Sequence, residues 1–97
     1  MIIAEESNKI TYELLELITY FPNPATDKIQ VVFHSKQNEE IQIQIYTIKG
    51  EKVYSTSEFV SVGRNEIQIP VQSLFHGQYI LTTKTAEGIF THKFIKQ

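Results

Sequence analysis

The sequence predicts an all-β fold, an antiparallel sandwich of about seven strands. Three observations lead there. Apolar residues recur with period two in stretch after stretch, the pattern of strands with one face in a core and the other in water. The runs are short and closely spaced, as in sandwiches and barrels. Turn-forming segments with glycine fall between them, where the chain must reverse.

The elements follow in order. A first strand is expected at about residues 15–20. The stretch around it carries two periods: Ile10, Leu14, Leu15 and Ile18 at helical spacing, and Leu15, Leu17, Thr19 and Phe21 at strand spacing. The β-branched and aromatic residues near Pro22 favour a strand for its second half. The second strand, about 28–34, places Ile29, Val31 and Phe33 on one face and Gln30 and His34 on the other. In the third, about 40–47, Ile41, Ile43 and Ile45 alternate with Gln42, Gln44 and Tyr46. Thr47-Ile48-Lys49-Gly50 fits a type I turn closed by a glycine at positive φ, returning into a fourth strand at about 51–58. Val62-Gly63-Arg64-Asn65 reads as a break before a fifth strand at about 65–70, where Ile67 and Ile69 alternate with Glu66 and Gln68. One short helical turn is expected at about 73–76, then strands at about 78–84 and 89–95, joined by Thr85-Ala86-Glu87-Gly88.

The chain's 97 residues suffice for one domain whose core needs no disulfide or structural metal. The absence of cysteine removes thiolate zinc sites and cysteine nucleophiles. A formal net charge of −2 argues against a protein that coats nucleic acid. No stretch reaches the roughly 18 consecutive apolar residues of a membrane helix, so no membrane insertion is expected. Residues 1–14 are acidic and patternless and read as a linker, leaving 15–97 as the folded domain. The opening Met-Ile-Ile-Ala-Glu-Glu has neither the basic nor the apolar region of a signal peptide, which suggests a piece cut from a longer precursor.

Nothing in the chain assembles a catalytic constellation, and no cofactor is expected. His34, His76 and His92 are not paired at metal-ligand spacing, and strand-face or surface positions account for them. Glu39-Glu40 reads as a solvated pair in a loop, and the serines lack a nucleophile elbow.

Two segments stand out. In Phe21-Pro22-Asn23-Pro24-Ala25-Thr26-Asp27, two prolines flank one residue. They keep Phe21 and Asn23 out of the helical region and cannot donate to a ladder, so the first strand stops there. Asp27 is placed to accept backbone N–H bonds and close the corner. In Leu74-Phe75-His76-Gly77-Gln78-Tyr79, the leucine, glycine and tyrosine resemble the tyrosine corner of Greek-key sandwiches, whose phenol bonds back to the main chain just upstream. This makes the expected sandwich immunoglobulin-like.

Taken in order, these pieces resemble the type A C-terminal sorting domain of proteins exported by the type IX secretion system of Bacteroidota. The matching residues are Phe21-Pro22-Asn23-Pro24-Ala25, Asp27, Ile29 and Val31. Ile45-Tyr46-Thr47-Ile48-Lys49-Gly50-Glu51-Lys52-Val53 follows, then Gly63-Arg64-Asn65-Glu66-Ile67, Leu74, Gly77, Tyr79 and Lys93-Phe94-Ile95-Lys96. Thr47 stands where the family often has an acidic residue, and Phe21 where it usually has tyrosine. Threonine can make a weaker form of the same turn bond.

The resemblance implies an immunoglobulin-like transport address that catalyses nothing. Its implied partners are the covalently attached upstream cargo, the outer-membrane translocation machinery and a sortase-like peptidase that removes the domain. The implied route runs through the periplasm to the cell surface or the medium. Lys93, Phe94, Ile95 and Lys96 are the implied recognition residues, expected to be free to contact a receptor, so that loss of 93–97 would block export more than folding. Lys84, His92, Lys93 and Lys96 make this end basic, and the lysines have two readings: docking on an acidic partner, or protection of an edge strand from aggregation. The alternative function is an immunoglobulin-like adhesion or carbohydrate-binding module, with Tyr46 and Tyr54 as an outward aromatic pair.

Overall fold

The computed structural model describes residues 18–97. Seven strands build two antiparallel sheets: β1 (Ile18–Phe21), β2 (Lys28–Ser35), β3 (Glu39–Thr47), β4 (Lys52–Val60), β5 (Gly63–Pro70), β6 (Gly77–Thr85) and β7 (Gly88–Lys96). One sheet runs β1-β2-β5 and the other β4-β3-β6-β7. This is the expected immunoglobulin-like sandwich, and no described residue is helical. In place of the helical turn at 73–76 the chain makes a tight turn slightly upstream, where the Leu74 N–H bonds the Val71 carbonyl at 3.0 Å.

Alternation sets the core. Ile29, Val31 and Phe33 of β2, with Ile67 and Ile69 of β5, face Ile41, Ile43 and Ile45 of β3, Leu81 of β6 and Phe94 of β7. Removing a side chain of this size from water contributes about 1.5–3 kcal/mol. A one-residue slip would turn each isoleucine row to solvent, so the pattern fixes the register.

The turn at 47–50 forms as predicted. Gly50 takes φ 97° and donates to the Thr47 carbonyl at 2.9 Å. The Thr47 hydroxyl oxygen accepts the Glu51 N–H at 3.1 Å, filling the role of an acidic side chain. The register then shifts: Ile45 pairs with Tyr54, but Tyr46 pairs with Lys52. Val53 is the extra residue of a bulge.

Three further expectations about the strands and their connections need correction. Gly63, Arg64 and Asn65 are not a break, for they already pair with Ser35, His34 and Phe33. Only Ser61 and Val62 lie between β4 and β5, where the chain changes sheets. The Asn65 side chain makes so short a crossing possible: its Oδ1 accepts the Ser61 N–H at 3.1 Å, and its Nδ2 donates to the Ser61 and Gly63 carbonyls at 2.8 and 3.1 Å. Glu39 is not a solvated loop carboxylate. It opens β3, accepts the Ala86 N–H at 2.8 Å, and so ties the β6–β7 hairpin to the strand. Tyr46 and Tyr54 are not an outward pair. Tyr54 lies opposite Ile45 and packs on the core, whereas Tyr46 belongs to the other face.

Candidate recognition site

The last strand has two faces of different character. Phe90, His92, Phe94 and Lys96 point into the sandwich; Ile89, Thr91, Lys93 and Ile95 point out. Phe94 is fully buried and stacks on Tyr79 with ring centres 5.6 Å apart. His92 stacks on Tyr20 of β1 at 4.5 Å, joining the two sheets at their common edge. Its Nε2 is buried without a hydrogen-bond partner among the described residues, and burial holds its pKa below the usual histidine value. Tyr20 is pushed up by burial, partly offset by its 3.1 Å bond to Thr83 Oγ1.

The Pro-Asn-Pro segment clasps the outer edge of this strand. Both X–Pro peptide bonds are cis. Pro22 ends the pairing of β1 with β2, and the chain crosses to the other sheet, where Ala25 makes a parallel bridge to Lys96. The Ala25 N–H bonds the Ile95 carbonyl and the Gln97 N–H bonds the Ala25 carbonyl, both at 2.8 Å. Asn23 extends this with its side chain: Oδ1 accepts the Ile95 N–H at 3.0 Å, and Nδ2 lies 3.5 Å from the Lys93 carbonyl. An amide placed between two residues that lack an N–H thus does the work of a strand's peptide group. Asp27 closes the corner differently from expectation: its carbonyl, not its carboxylate, accepts a bond, from the Val71 N–H at 2.9 Å.

The tyrosine corner lies beside this clasp. Gly77, at φ 149°, opens β6 opposite Lys96. Tyr79 donates its hydroxyl proton to the Phe75 carbonyl at 2.7 Å. The preceding carbonyl, of Leu74, takes a 3.0 Å bond from the ammonium of Lys96. One turn is pinned at adjacent carbonyls by two strands.

Residues 19–97, most of the chain, match the family described as the secretion system C-terminal sorting domain. The chain belongs to that family. It carries a C-terminal sorting signal for type IX secretion, and the adhesion or carbohydrate-binding alternative is not favoured. A sorting domain is engaged as cargo by the secretion machinery and leads to the cell surface or the medium. The family is not an enzymatic one. No curated protein matches the chain.

The four residues implied to carry recognition divide in the sorting domain. Lys93 and Ile95 are exposed on the outer face, but Phe94 lies in the core and Lys96 is 8% exposed. The end of the strand is therefore not free. Alternation sends every second side chain inward, and the clasp occupies the edge. The tasks of Asn23 and Asn65 and the Tyr20–His92 stack were not evident from the sequence. The signal for Asn23 was present, in the two flanking prolines. A contact between residues 72 apart, such as Tyr20 and His92, leaves no local trace.

Proposed function

We propose that residues 15–97 form the complete address and that residues 1–14 are the linker to an upstream cargo. A precursor carrying this address reaches the periplasm, is recognised by the outer-membrane translocation machinery, and is cut by a sortase-like peptidase upstream of the fold. The cargo is then released or retained at the surface. The domain performs no chemistry of its own.

The family match over residues 19–97 carries this reading. The physical form of the domain supports it. An address must persist unchanged behind different cargos, and a sandwich with Phe94 in its core and its last strand clasped presents one fixed surface. The outward side chains of β7, Lys93 and Ile95, are the members of the implied recognition set available to a receptor.

The test fuses residues 15–97 to the C-terminus of a periplasm-directed reporter in a bacterium with a type IX system. The reporter should appear at the surface or in the medium, and should stay inside an isogenic strain whose translocon is deleted. Retention in the intact strain, or equal release from both, overturns the proposal. A second fusion carrying residues 18–97 should be exported equally well, and a marked loss would move the boundary of the address upstream.

A further inference from the structure

The register of the four-stranded sheet assembles a cross-strand row that no single stretch of sequence displays. Tyr46 of β3 lies opposite Lys52 of β4 on one side and Ile80 of β6 on the other, and Ile80 lies opposite Lys93 of β7. The row reads Lys52, Tyr46, Ile80, Lys93 across all four strands. Tyr46 points away from the core, since its hydroxyl donates to Gln44 Oε1 on the same face at 2.6 Å. One step further along β7, exposed Ile95 lies opposite Gln78. The bulge brings Val53 to the same side.

Resting on the sorting reading, we propose that this row, with Ile95, is the docking surface of the domain, and that its partner is a protein surface with an apolar centre and acidic rims. Three observations favour this occupant. The centre of the row is aromatic and aliphatic, and both ends are exposed lysines that form no ion pair among the described residues. Such an arrangement is complementary to acidic groups on either side of an apolar contact. On β3 the acid that shares this face is Glu40, six residues from Tyr46 and so about 20 Å away at the rise of a strand. Finally, the edge of β7 along 93–97 is already taken by Asn23 and Ala25, so a partner that engages this end of β7 cannot do so by adding a strand.

An anionic lipid surface shares the charge preference but fits the shape less well. Tyr46 and Ile80 are half-buried between the lysines instead of projecting beyond them, whereas interfacial binding grows with the apolar area inserted into the membrane.

The experiment compares reporter fusions carrying the wild-type domain, Lys52→Glu/Lys93→Glu, and Arg64→Glu on the outer face of the other sheet, with melting temperatures of the purified domains. A photo-crosslinking amino acid replaces Gln78 in one set and Gln68, on the opposite sheet, in another. The double reversal should cut export about tenfold or more, because like charges then face each other across the interface. It should leave the melting temperature close to wild type, and Arg64→Glu should export normally. Position 78, not 68, should crosslink to a component of the outer-membrane machinery, and the double reversal should abolish that product. Normal export of the folded double variant overturns the docking surface while the sorting reading stands. Failure of the wild-type fusion to export overturns the sorting reading itself. Binding of the wild-type domain to phosphatidylglycerol vesicles that the double reversal abolishes, with no crosslink at 78, overturns the protein partner in favour of a lipid surface.

Discussion

At the scale of the residue, the turn before β6 is held by two donors on adjacent carbonyls. Tyr79→Phe leaves the Phe75 carbonyl without its phenol, and the expected loss of stability is about 1–3 kcal/mol. Lys96→Met keeps the stem but strands the Leu74 carbonyl, with a similar expected loss of about 1–3 kcal/mol. Urea denaturation of both variants checks this, and an unchanged midpoint for Lys96→Met would return that side chain to the candidates for recognition. Phe94→Ala should cost more, about 3–5 kcal/mol, because it leaves a cavity facing Tyr79. His92 introduces a dependence on pH. Burial lowers its folded pKa, so the unfolded chain binds the proton more readily. The stability that neutral His92 contributes is present above its unfolded pKa of about 6.5 and is lost as pH falls through the lower folded value. His92→Phe, which keeps an aromatic ring against Tyr20, should flatten the fall of melting temperature with acid in this window. A curve parallel to wild type would place the acid sensitivity in other groups.

At the scale of the element, β7 is the last strand in sequence yet an integral part of the sandwich. It pairs with β6 along its whole length, sends Phe94 to the core, and receives the clasp from Asn23 and Ala25. Deleting 93–97 removes Phe94, the clasp and the part of the ladder from Lys93 to Lys96. The combined loss approaches the total stability of roughly 5–15 kcal/mol of an ordinary domain, so the truncated chain should be largely unfolded by circular dichroism. Loss of export in such a deletion would then report unfolding and not the loss of an address. Asn23→Ala is the gentler probe. It removes the side-chain bonds to the strand edge and leaves the Ala25 bridge, so hydrogen exchange should quicken at the Ile95 amide with little change at Leu81 in the centre of the sheet. Equal exchange at Ile95 in both proteins would show that the amide adds nothing to the clasp.

At the scale of the whole molecule, two sheets meet along two edges that are closed by different means. On one side Asn65 makes the two-residue crossing from β4 to β5. On the other, Tyr20 against His92 and the Pro-Asn-Pro clasp join β1 to β7. The clasp covers part of an edge strand that would otherwise offer unpaired amides to other chains.

The sequence by itself determined the number of strands, their approximate places and the inward faces of β2, β3 and β5, but not that of β1, where Ile18 and Tyr20 turn to the core and Phe21 is exposed. These follow from period-two alternation and from turn residues, which act within a few positions of one another. It also determined the tyrosine corner and the 47–50 turn, because Tyr79 reaches only as far as Phe75, and Gly50 only as far as Thr47. The tertiary structure alone decided which side chains are available to a partner. Lys93-Phe94-Ile95-Lys96 is one motif in sequence, but the pleat divides it between core and solvent. Lys52, Tyr46, Ile80 and Lys93 are scattered in sequence, but register brings them into one row. Spacing along a chain states a residue's local geometry, whereas the neighbours that bury it or stand beside it are set by strands that pair from far away.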